Sequence, residues 1–256
     1  MLPRVINLGP LTLHLYGLII ALSIYLGWLL AKKRASQGVK IPQKFFEDPI
    51  LLIPLFLSIA IARIYHVIDY WSIYKSDLTS ILLINRGGLG IWGALIGAIA
   101  GLIIVAKFKK LNPLTVLDLA SPSLLLGQTL GRFGNYINQE GFGPPTSLPW
   151  GVFIEKLNRP AKYQNFSHFH PTFFYEAALD AIFLIVILVF AKNKVLKGQV
   201  FGLYLILYAT GRFIVEFWRI DTATIGSLKI AHLLSIFTIL IGLLIFRTTK
   251  KGLDPS

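Results

Sequence analysis

The sequence contains no cysteine and few acidic residues. The absence of cysteine excludes disulfides, thiolate metal sites and a nucleophilic thiol belonging to the protein itself. Any sulfur chemistry must therefore use the thiol of a partner. The 12 Asp and Glu residues stand against 25 Lys and Arg, which gives a formal net charge of +13. A basic balance can indicate nucleic-acid binding, but no RNP, helix-turn-helix or zinc-finger pattern accompanies it, so we expect no nucleic-acid partner.

Apolar residues are abundant and form long runs. At 256 residues and 55% hydrophobic, the chain suits a single polytopic domain, residues 1–256, in a lipid bilayer. We predict an all-α integral membrane protein with a bundle of seven transmembrane helices. The first apolar segment lacks the features of a cleavable signal peptide, so we expect it to remain in the mature protein. The seven segments of roughly bilayer-spanning length are Leu11–Ala31, Pro49–Tyr70, Leu89–Ala106, Leu114–Leu130, Phe173–Ala191, Gln199–Phe217 and Leu228–Phe246.

Basic residues follow alternate segments of this series. The first, third, fifth and seventh segments each run into a cluster of Lys and Arg, of which Lys32, Lys33 and Arg34 form the first. By the positive-inside rule those ends are cytoplasmic, so the N-terminus lies outside and the C-terminus inside. The longest connection, residues 133–172, then lies on the outer face. Its Gly, Pro, Asn and aromatic content predicts an ordered cap over the bundle.

One stretch stands out as polar in this apolar chain: GRFGNYINQEGFG, at Gly131 to Gly143. Its arginine, Arg132, follows the fourth segment, and two further arginines, Arg63 and Arg212, lie inside the second and sixth segments. Counting helical rise from the cytoplasmic ends puts all three at similar depth, roughly 20 to 27 Å up in the outer leaflet. Ionisable residues inside a membrane are functional hypotheses by default, although each of these could instead snorkel or pair with a nearby acid.

A shared anionic ligand would explain the three arginines together. Tyr208, Arg212 and Glu216 lie on one helical face, and Arg212 with Glu216 could form a plain intrahelical ion pair. Such a pair would leave the other two arginines unexplained. The arginine fork binds phosphate through two hydrogen bonds, and a phospholipid headgroup is the anion available at this depth. Asn135 and Asn138 could add neutral hydrogen bonds to that phosphate.

The chain resembles the prolipoprotein diacylglyceryl transferase family along nearly its whole length. GRFGNYINQEGFG is similar to the family signature. Five other matching motifs occur in order: HLYG at His14 to Gly17, ARIYHV at Ala62 to Val67, GGLGIWGALIG at Gly87 to Gly97, HPTFFYE at His170 to Glu176 and YATGRFIVEFWR at Tyr208 to Arg219. The resemblance implies transfer of the sn-1,2-diacylglyceryl group from phosphatidylglycerol to the lipobox cysteine of secreted preprolipoproteins. A thioether forms and sn-glycerol 1-phosphate leaves, in the first step of bacterial lipoprotein maturation in the cytoplasmic (inner) membrane.

The resemblance also implies roles for individual residues and needs neither a cofactor nor a metal. In it Arg132 and Arg212 neutralise the lipid phosphate and improve it as a leaving group. The residues expected to be catalytic are Tyr16, Arg132, Asn135, Glu140 and Arg212. Those expected to bind substrate are Arg132, Arg212, Tyr208, Glu216, Asn138, Gly143, Arg63 and His66.

One position departs from the family pattern. Trp92 stands where many members carry a histidine that has been proposed as the general base. A free thiol has a pKa near 8.5, so a few per cent is thiolate at neutral pH, and nearby arginines raise that fraction. We therefore expect a weak or absent dedicated base, with His66 and Glu140 as reserve candidates.

Other sequence features favour structural explanations. Gly93, Gly97 and Gly101 recur at every fourth residue, a spacing typical of close helix packing in membranes. His168 and His170 form a short HxH pattern, but two ligands without a third make a weak metal site. His170 could instead fix the loop against the bundle, and Glu176 and Tyr175 could join a polar network there. Asp118 lies near the cytoplasmic boundary, and we expect it to cap or pair.

Two other classes of function stay open. A transporter or flippase would also have seven spans and buried arginines, although it should show related halves or paired broken helices. A lipid-binding scaffold, or a hydrolase in which water replaces the thiol, is separated from the transferase only by the resemblance.

Overall fold

Helices dominate the computed structural model, which describes residues 4–9, 11–37, 41–83, 88–192, 196–220, 222, 224–226 and 228–248. An α-helix overlaps each of the seven predicted segments, and a short eighth α-helix follows the second. The helices are α1 Leu15–Ser36, α2 Leu52–Asp69, α3 Trp71–Tyr74, α4 Ile91–Phe108, α5 Pro113–Asn138, α6 Thr172–Phe190, α7 Gln199–Glu216 and α8 Ile230–Thr248.

Four of these stretches are long and apolar enough to cross a membrane by length and composition: Leu15–Ser36, Pro49–Asp69, Thr172–Phe190 and Ile230–Thr248. A fifth, Gly93–Phe108, is apolar but shorter. The prediction of a helical membrane protein is therefore supported in its coarse form. The count of seven spans and their orientation stay predictions.

Three short antiparallel hairpins were not predicted. They pair β1 Val5–Leu8 with β2 Leu11–His14, β3 Val152–Phe153 with β4 His168–Phe169, and β5 Thr224–Ile225 with β6 Leu228–Lys229. The first corrects the start of the first apolar segment, because Leu11–His14 is a strand and the helix begins at Leu15. Hydropathy alone could not separate these residues from the helix, since both are apolar.

The fourth segment also needs a correction, because α5 continues beyond Leu130 and through the first part of the polar stretch to Asn138. It ends in a Schellman motif. Gln139, at φ 56°, adopts the left-handed conformation, its amide donates to Tyr136, and the amide of Glu140 donates to Asn135 at 3.1 Å. The segment between α5 and α6 therefore starts at Gln139 rather than at residue 133.

The chain divides into two compact units, and the smaller comprises Arg34–Leu117. In this unit α2 packs against α4 with almost no side chain between them. A Cβ added at Gly93, Gly97 or Gly101 would overlap backbone atoms of α2. The predicted packing role of these three glycines is confirmed.

The larger unit comprises Met1–Lys33 and Asp118–Ser256. In it α7 packs against both α6 and α8. Asp118 accepts hydrogen bonds from the amides of Gly198 at 2.5 Å and Phe201 at 2.8 Å, at the start of α7. Its carboxylate thus satisfies donors that a helix start leaves open. The predicted structural role of Asp118 is confirmed.

The segment between α5 and α6, residues 139–171, has its own apolar core. Phe142, Ile154 and Phe169 are buried there together with Phe173 from the first turn of α6. The amide of Glu155 and the side chain of Asn158 both donate to the buried Gln139 side chain. This segment is therefore ordered and packed onto the start of α6.

Candidate functional site

Three arginines of the larger unit converge on one buried carboxylate, that of Glu176. Arg132 on α5 forms an ion pair with Glu176 Oε2. Arg212 on α7 and Arg219, just after it, each place Nη1 3.0 Å from Glu176 Oε1. Glu176 is only 4% exposed, so its charge depends on these partners. We call these four residues together with Glu216 the arginine cluster.

Glu216 is the second acid of the cluster, and it is fully buried. Its Oε2 lies 2.6 Å from Nη2 of Arg212, one helical turn earlier. The intrahelical pair that the sequence left open is therefore present, but Arg212 also contacts Glu176. Lys229 donates from Nζ to the carbonyl oxygens of Glu216 at 2.5 Å and Arg219 at 3.0 Å. This cation stabilises the C-terminal end of α7.

The end of the polar stretch fixes the start of α6, and with it Glu176. The Gly143 amide donates to the His170 carbonyl at 2.8 Å. Thr172 donates through its hydroxyl to the Gly141 carbonyl at 2.5 Å. A Cβ at Gly143 would lie 2.6 Å from the Trp218 carbonyl oxygen, so only glycine allows this close approach. Gly143 thus acts through packing, and its predicted contact with substrate stays a prediction.

The remainder of the stretch forms a group around Glu140. Asn135 and Asn138 donate through their Nδ2 atoms to Glu140 Oε1, at 3.1 and 3.3 Å. Both asparagines were expected to face a phosphate, and the structure gives them Glu140 as a partner. Glu140 itself is exposed. Tyr16 interacts electrostatically with both Glu140 and Arg132, which links this group to the arginine cluster.

Gly134 brings Tyr16 to α5. A Cβ at Gly134 would overlap the Tyr16 ring, so the tyrosine packs directly on the helix backbone. An apolar groove of about 230 Å³ lies between the same two helices and is lined by Ile19, Leu22, Leu130 and Phe133. Its lining residues are close in sequence to Tyr16 on α1 and to Arg132 on α5, so the groove adjoins the site.

Two tyrosines continue the site along α7. Tyr208 precedes Arg212 on α7 and interacts electrostatically with Arg132, Arg212 and Glu176. Its ring stacks on Tyr204 with centroids 6.0 Å apart. The sequence predicted Tyr208 as a site residue but did not identify Tyr204.

Several other residues of the site were also missed. Arg219 lies within the motif YATGRFIVEFWR, which was the available signal for it, whereas Lys229 and Asp180 carried none. Glu176 was expected in a polar network, but not as the shared partner of the arginines. Among the described residues, no group of three or more His, Cys, Asp or Glu is placed to hold a metal ion.

Arg63 and His66 lie in the smaller unit. Arg63 is 6% exposed and donates to the carbonyls of Ser80, Ile81 and Gly88 at 2.6 to 2.8 Å. Its guanidinium thus holds the chain between α3 and α4. With His66 it lines a cavity of about 210 Å³. The predicted lipid-binding roles of both residues stay predictions. The side chain of Trp92 lies outside the described residues.

Comparisons with known proteins agree across the chain. The family model described as prolipoprotein diacylglyceryl transferase matches residues 3–248. Relatives named phosphatidylglycerol--prolipoprotein diacylglyceryl transferase include that of Acaryochloris marina, 37% identical over 244 residues, covering 94% of this chain and 88% of that protein. The one of Thermosynechococcus vestitus is 36% identical over 239 residues, covering 93% and 88%. The one of Finegoldia magna is 39% identical over 242 residues, covering 94% and 93%.

Proposed function

This chain belongs to the prolipoprotein diacylglyceryl transferase family, and from that premise we propose how its residues perform the reaction. The protein transfers the sn-1,2-diacylglyceryl group of phosphatidylglycerol to the lipobox cysteine thiol of a preprolipoprotein. The observation that carries the proposed site is the convergence of Arg132, Arg212 and Arg219 on Glu176. These cations are preorganised in a buried position, where they act most strongly on a developing negative charge.

The chemistry requires that charge stabilisation. The thiol sulfur attacks the glycerol carbon that carries the phosphate, a C–S bond forms and the C–O bond breaks. The electron pair of the C–O bond leaves with the oxygen, so the phosphate gains a second negative charge as glycerol phosphate departs. Arg132 and Arg212 bind this phosphate through their forked donors and stabilise the added charge. Arg219 supports Arg132 and Arg212 because all three contact Glu176.

The thiol loses a proton in the same reaction. The cationic cluster favours the thiolate, because opposite charges nearby lower a thiol pKa. Glu140 is exposed and held by two asparagines, which suits it to accept the proton. Tyr16 packs between α1 and α5 and interacts with Glu140 and Arg132, so it orients the phosphate or the incoming thiol. The apolar groove beside it accommodates an acyl chain of the donor.

The same proposal includes the membrane arrangement. All seven long helices cross the cytoplasmic membrane of a bacterium, with the N-terminus outside and the C-terminus inside. Helices α5 and α7 fall outside the four clear spans, and their arginines, Arg132 and Arg212, pair with Glu176 of α6 in the arginine cluster. Residues 139–171 then cap the bundle at the outer leaflet, where the preprolipoprotein thiol is presented.

The test is a mass measurement of product. Purified protein in detergent is incubated with phosphatidylglycerol and a lipobox peptide. Wild type should add a diacylglyceryl mass to the cysteine. Arg132→Ala and Arg212→Ala should each lower the rate by at least about 100-fold, as for other oxyanion-stabilising donors. Arg247→Ala, in the exposed last turn of α8, is the matched control and should retain the wild-type rate.

The alternatives predict different products. A hydrolase would release diacylglycerol and leave the peptide unmodified. A transporter or scaffold would bind phosphatidylglycerol without converting it. Either result from wild type, under conditions where a known transferase is active, would refute the proposed reaction. Transfer that survives the loss of both arginines would refute the proposed site.

A further inference from the structure

A second group of polar side chains adjoins the arginine cluster and consists of Gln128, Asp180 and Tyr204, which we call the polar layer. On α5, Gln128 precedes Arg132 by one turn, and on α6, Asp180 follows Glu176 by one turn. Side chains at this spacing lie on the same face of a helix. Gln128 donates from Nε2 to the Tyr204 hydroxyl of α7 at 3.1 Å. The layer therefore joins the same three helices as the cluster above it.

Asp180 is the acid of this layer, and it is 4% exposed. From α5 it faces Arg132, from its own helix Glu176, and from α7 Tyr204 and Tyr208, all of which interact with it electrostatically. Helix packing alone does not require a carboxyl group at such a position. Burial of a carboxyl is costly unless its oxygens are satisfied, so the position calls for a specific partner.

Three buried atoms, two in the layer and one on Arg132 of the cluster, lack a hydrogen-bond partner among the described residues. They are Asp180 Oδ2, Gln128 Oε1 and Arg132 Nε. Two are acceptors and one is a donor. One water molecule donates two hydrogen bonds and accepts others, so its donors and acceptors match what these two acceptors and one donor require. Buried waters typically make about three such bonds to groups that are otherwise unsatisfied.

We propose that Asp180 and Gln128 bind an internal water that accepts from Arg132 Nε, and that Asp180 thereby acts as the positioning residue of Arg132. The inference rests on the proposed function of the cluster. Holding Nε fixes the plane of the guanidinium, because the group is rigid and planar. Its terminal nitrogens then point away from the layer, toward Glu176 and the phosphate.

The layer has a consequence for catalysis. A guanidinium fixed at Nε is aligned before the phosphate gains its second charge, so no reorientation is needed as the C–O bond breaks. Loss of the layer leaves Arg132 charged and present but free to rotate. The effect should therefore fall mainly on kcat, with a smaller change in KM for phosphatidylglycerol.

The first test uses Asp180→Leu, which keeps the branching of the side chain but removes both acceptor oxygens, and Gln128→Leu. Each should lower kcat about 10-fold or more, the range that orienting partners commonly cost. KM and the unfolding temperature should change little. Asp69→Asn, an exposed position at the end of α2, is the matched control and should retain wild-type kcat.

A double-mutant cycle separates positioning from a structural role. Arg132→Lys keeps the positive charge but removes the guanidinium and its Nε donor, so Asp180→Leu should have no further effect in that background. The cycle is measured on kcat and on the dissociation constant for phosphatidylglycerol, so that a slow background still reports. If Asp180→Leu has the same effect in the wild-type background and in the Arg132→Lys background, Asp180 does not act through Arg132.

Other outcomes are equally decisive. If wild type transfers diacylglyceryl and Asp180→Leu does so within twofold of its rate, the positioning role is refuted while the proposed function stands. If wild type transfers nothing, the proposed function itself fails. An experimental density map of the wild type should show one water within hydrogen-bond distance of Asp180 Oδ2, Gln128 Oε1 and Arg132 Nε. A direct contact between Asp180 and Arg132 in place of that water would overturn the proposed water bridge.

Discussion

Replacement of Glu176 by alanine should destabilise the protein strongly in the absence of lipid. This one carboxylate is the shared partner of Arg132, Arg212 and Arg219, and it is 4% exposed. Removing one member of a buried ion pair costs roughly 3–5 kcal/mol, because the other charge is left uncompensated. At about 2–4 °C per kcal/mol, this corresponds to a fall in unfolding temperature of about 6–20 °C.

Phosphatidylglycerol should reverse much of this loss. Its phosphate supplies the negative charge that Glu176→Ala removes, so the lipid should raise the unfolding temperature of the variant more than that of wild type. A ligand at 100 times its dissociation constant adds about 2.7 kcal/mol of stability. The assay is thermal unfolding in detergent, with phosphatidylglycerol or with neutral diacylglycerol added.

The controls decide whether the charge matters. Glu155→Ala removes an exposed carboxylate and should leave the unfolding temperature unchanged. Glu176→Gln keeps an acceptor oxygen and should lose less stability than the alanine variant. If Glu176→Ala unfolds at the wild-type temperature, or if diacylglycerol rescues it as well as phosphatidylglycerol does, Glu176 does not hold the arginines through its charge.

Two further predictions concern packing and pH. Gly134→Ala should lower activity and cost about 1–3 kcal/mol of stability, because the added Cβ overlaps the Tyr16 ring. The control is Gly127→Ala in the same helix, where the added Cβ meets open space. Measured by thermal unfolding, this control should be neutral or stabilising. The hydrogen bond from Lys109 lowers the pKa of Asp48 below its ordinary value of 3.8. The ionised Asp48 carboxylate therefore stabilises the fold at pH values above 3.8, and this contribution is lost as the pH falls through the lowered pKa of Asp48. The unfolding temperature of Asp48→Asn, measured against pH, should lack this loss in acid. If it depends on pH as the wild-type unfolding temperature does, the stabilising role of the Asp48 carboxylate is refuted.

The positions of the long helices could be predicted from sequence, because apolar runs of this length carry a strong signal. The helix ends could not. Leu11–His14 is as apolar as the helix that follows, yet it pairs with β1. The outer connection was predicted to start at residue 133, yet α5 continues to Asn138, and Gly134 within it packs against Tyr16. Both outcomes depend on contacts between residues that are distant from each other or on different elements.

Arg132 and Arg212 were predicted as site residues and Glu176 as a member of a polar network, but the pairing of Glu176 with the arginines was not predicted. The depth of Arg132 and Arg212 and the family resemblance both indicated a common site. Glu176 lies on a third helix, and no periodicity within one helix connects it to either arginine. Arg219 follows the end of α7, where a basic residue has an ordinary interfacial explanation. A shared buried carboxylate is a property of three helices packed together, so a single sequence carries no direct signal for it.

The order of residues around Glu176 also constrains how the protein is made. Synthesis proceeds from the N-terminus, so Arg132 is complete before the whole segment that leads to α6 and Glu176 exists. At about 5–20 residues per second, this interval lasts seconds. Arg212 and Arg219 emerge later still and find their carboxylate already in place. During biogenesis the first arginine must therefore be held by water, lipid phosphate or the insertion machinery until its acid arrives.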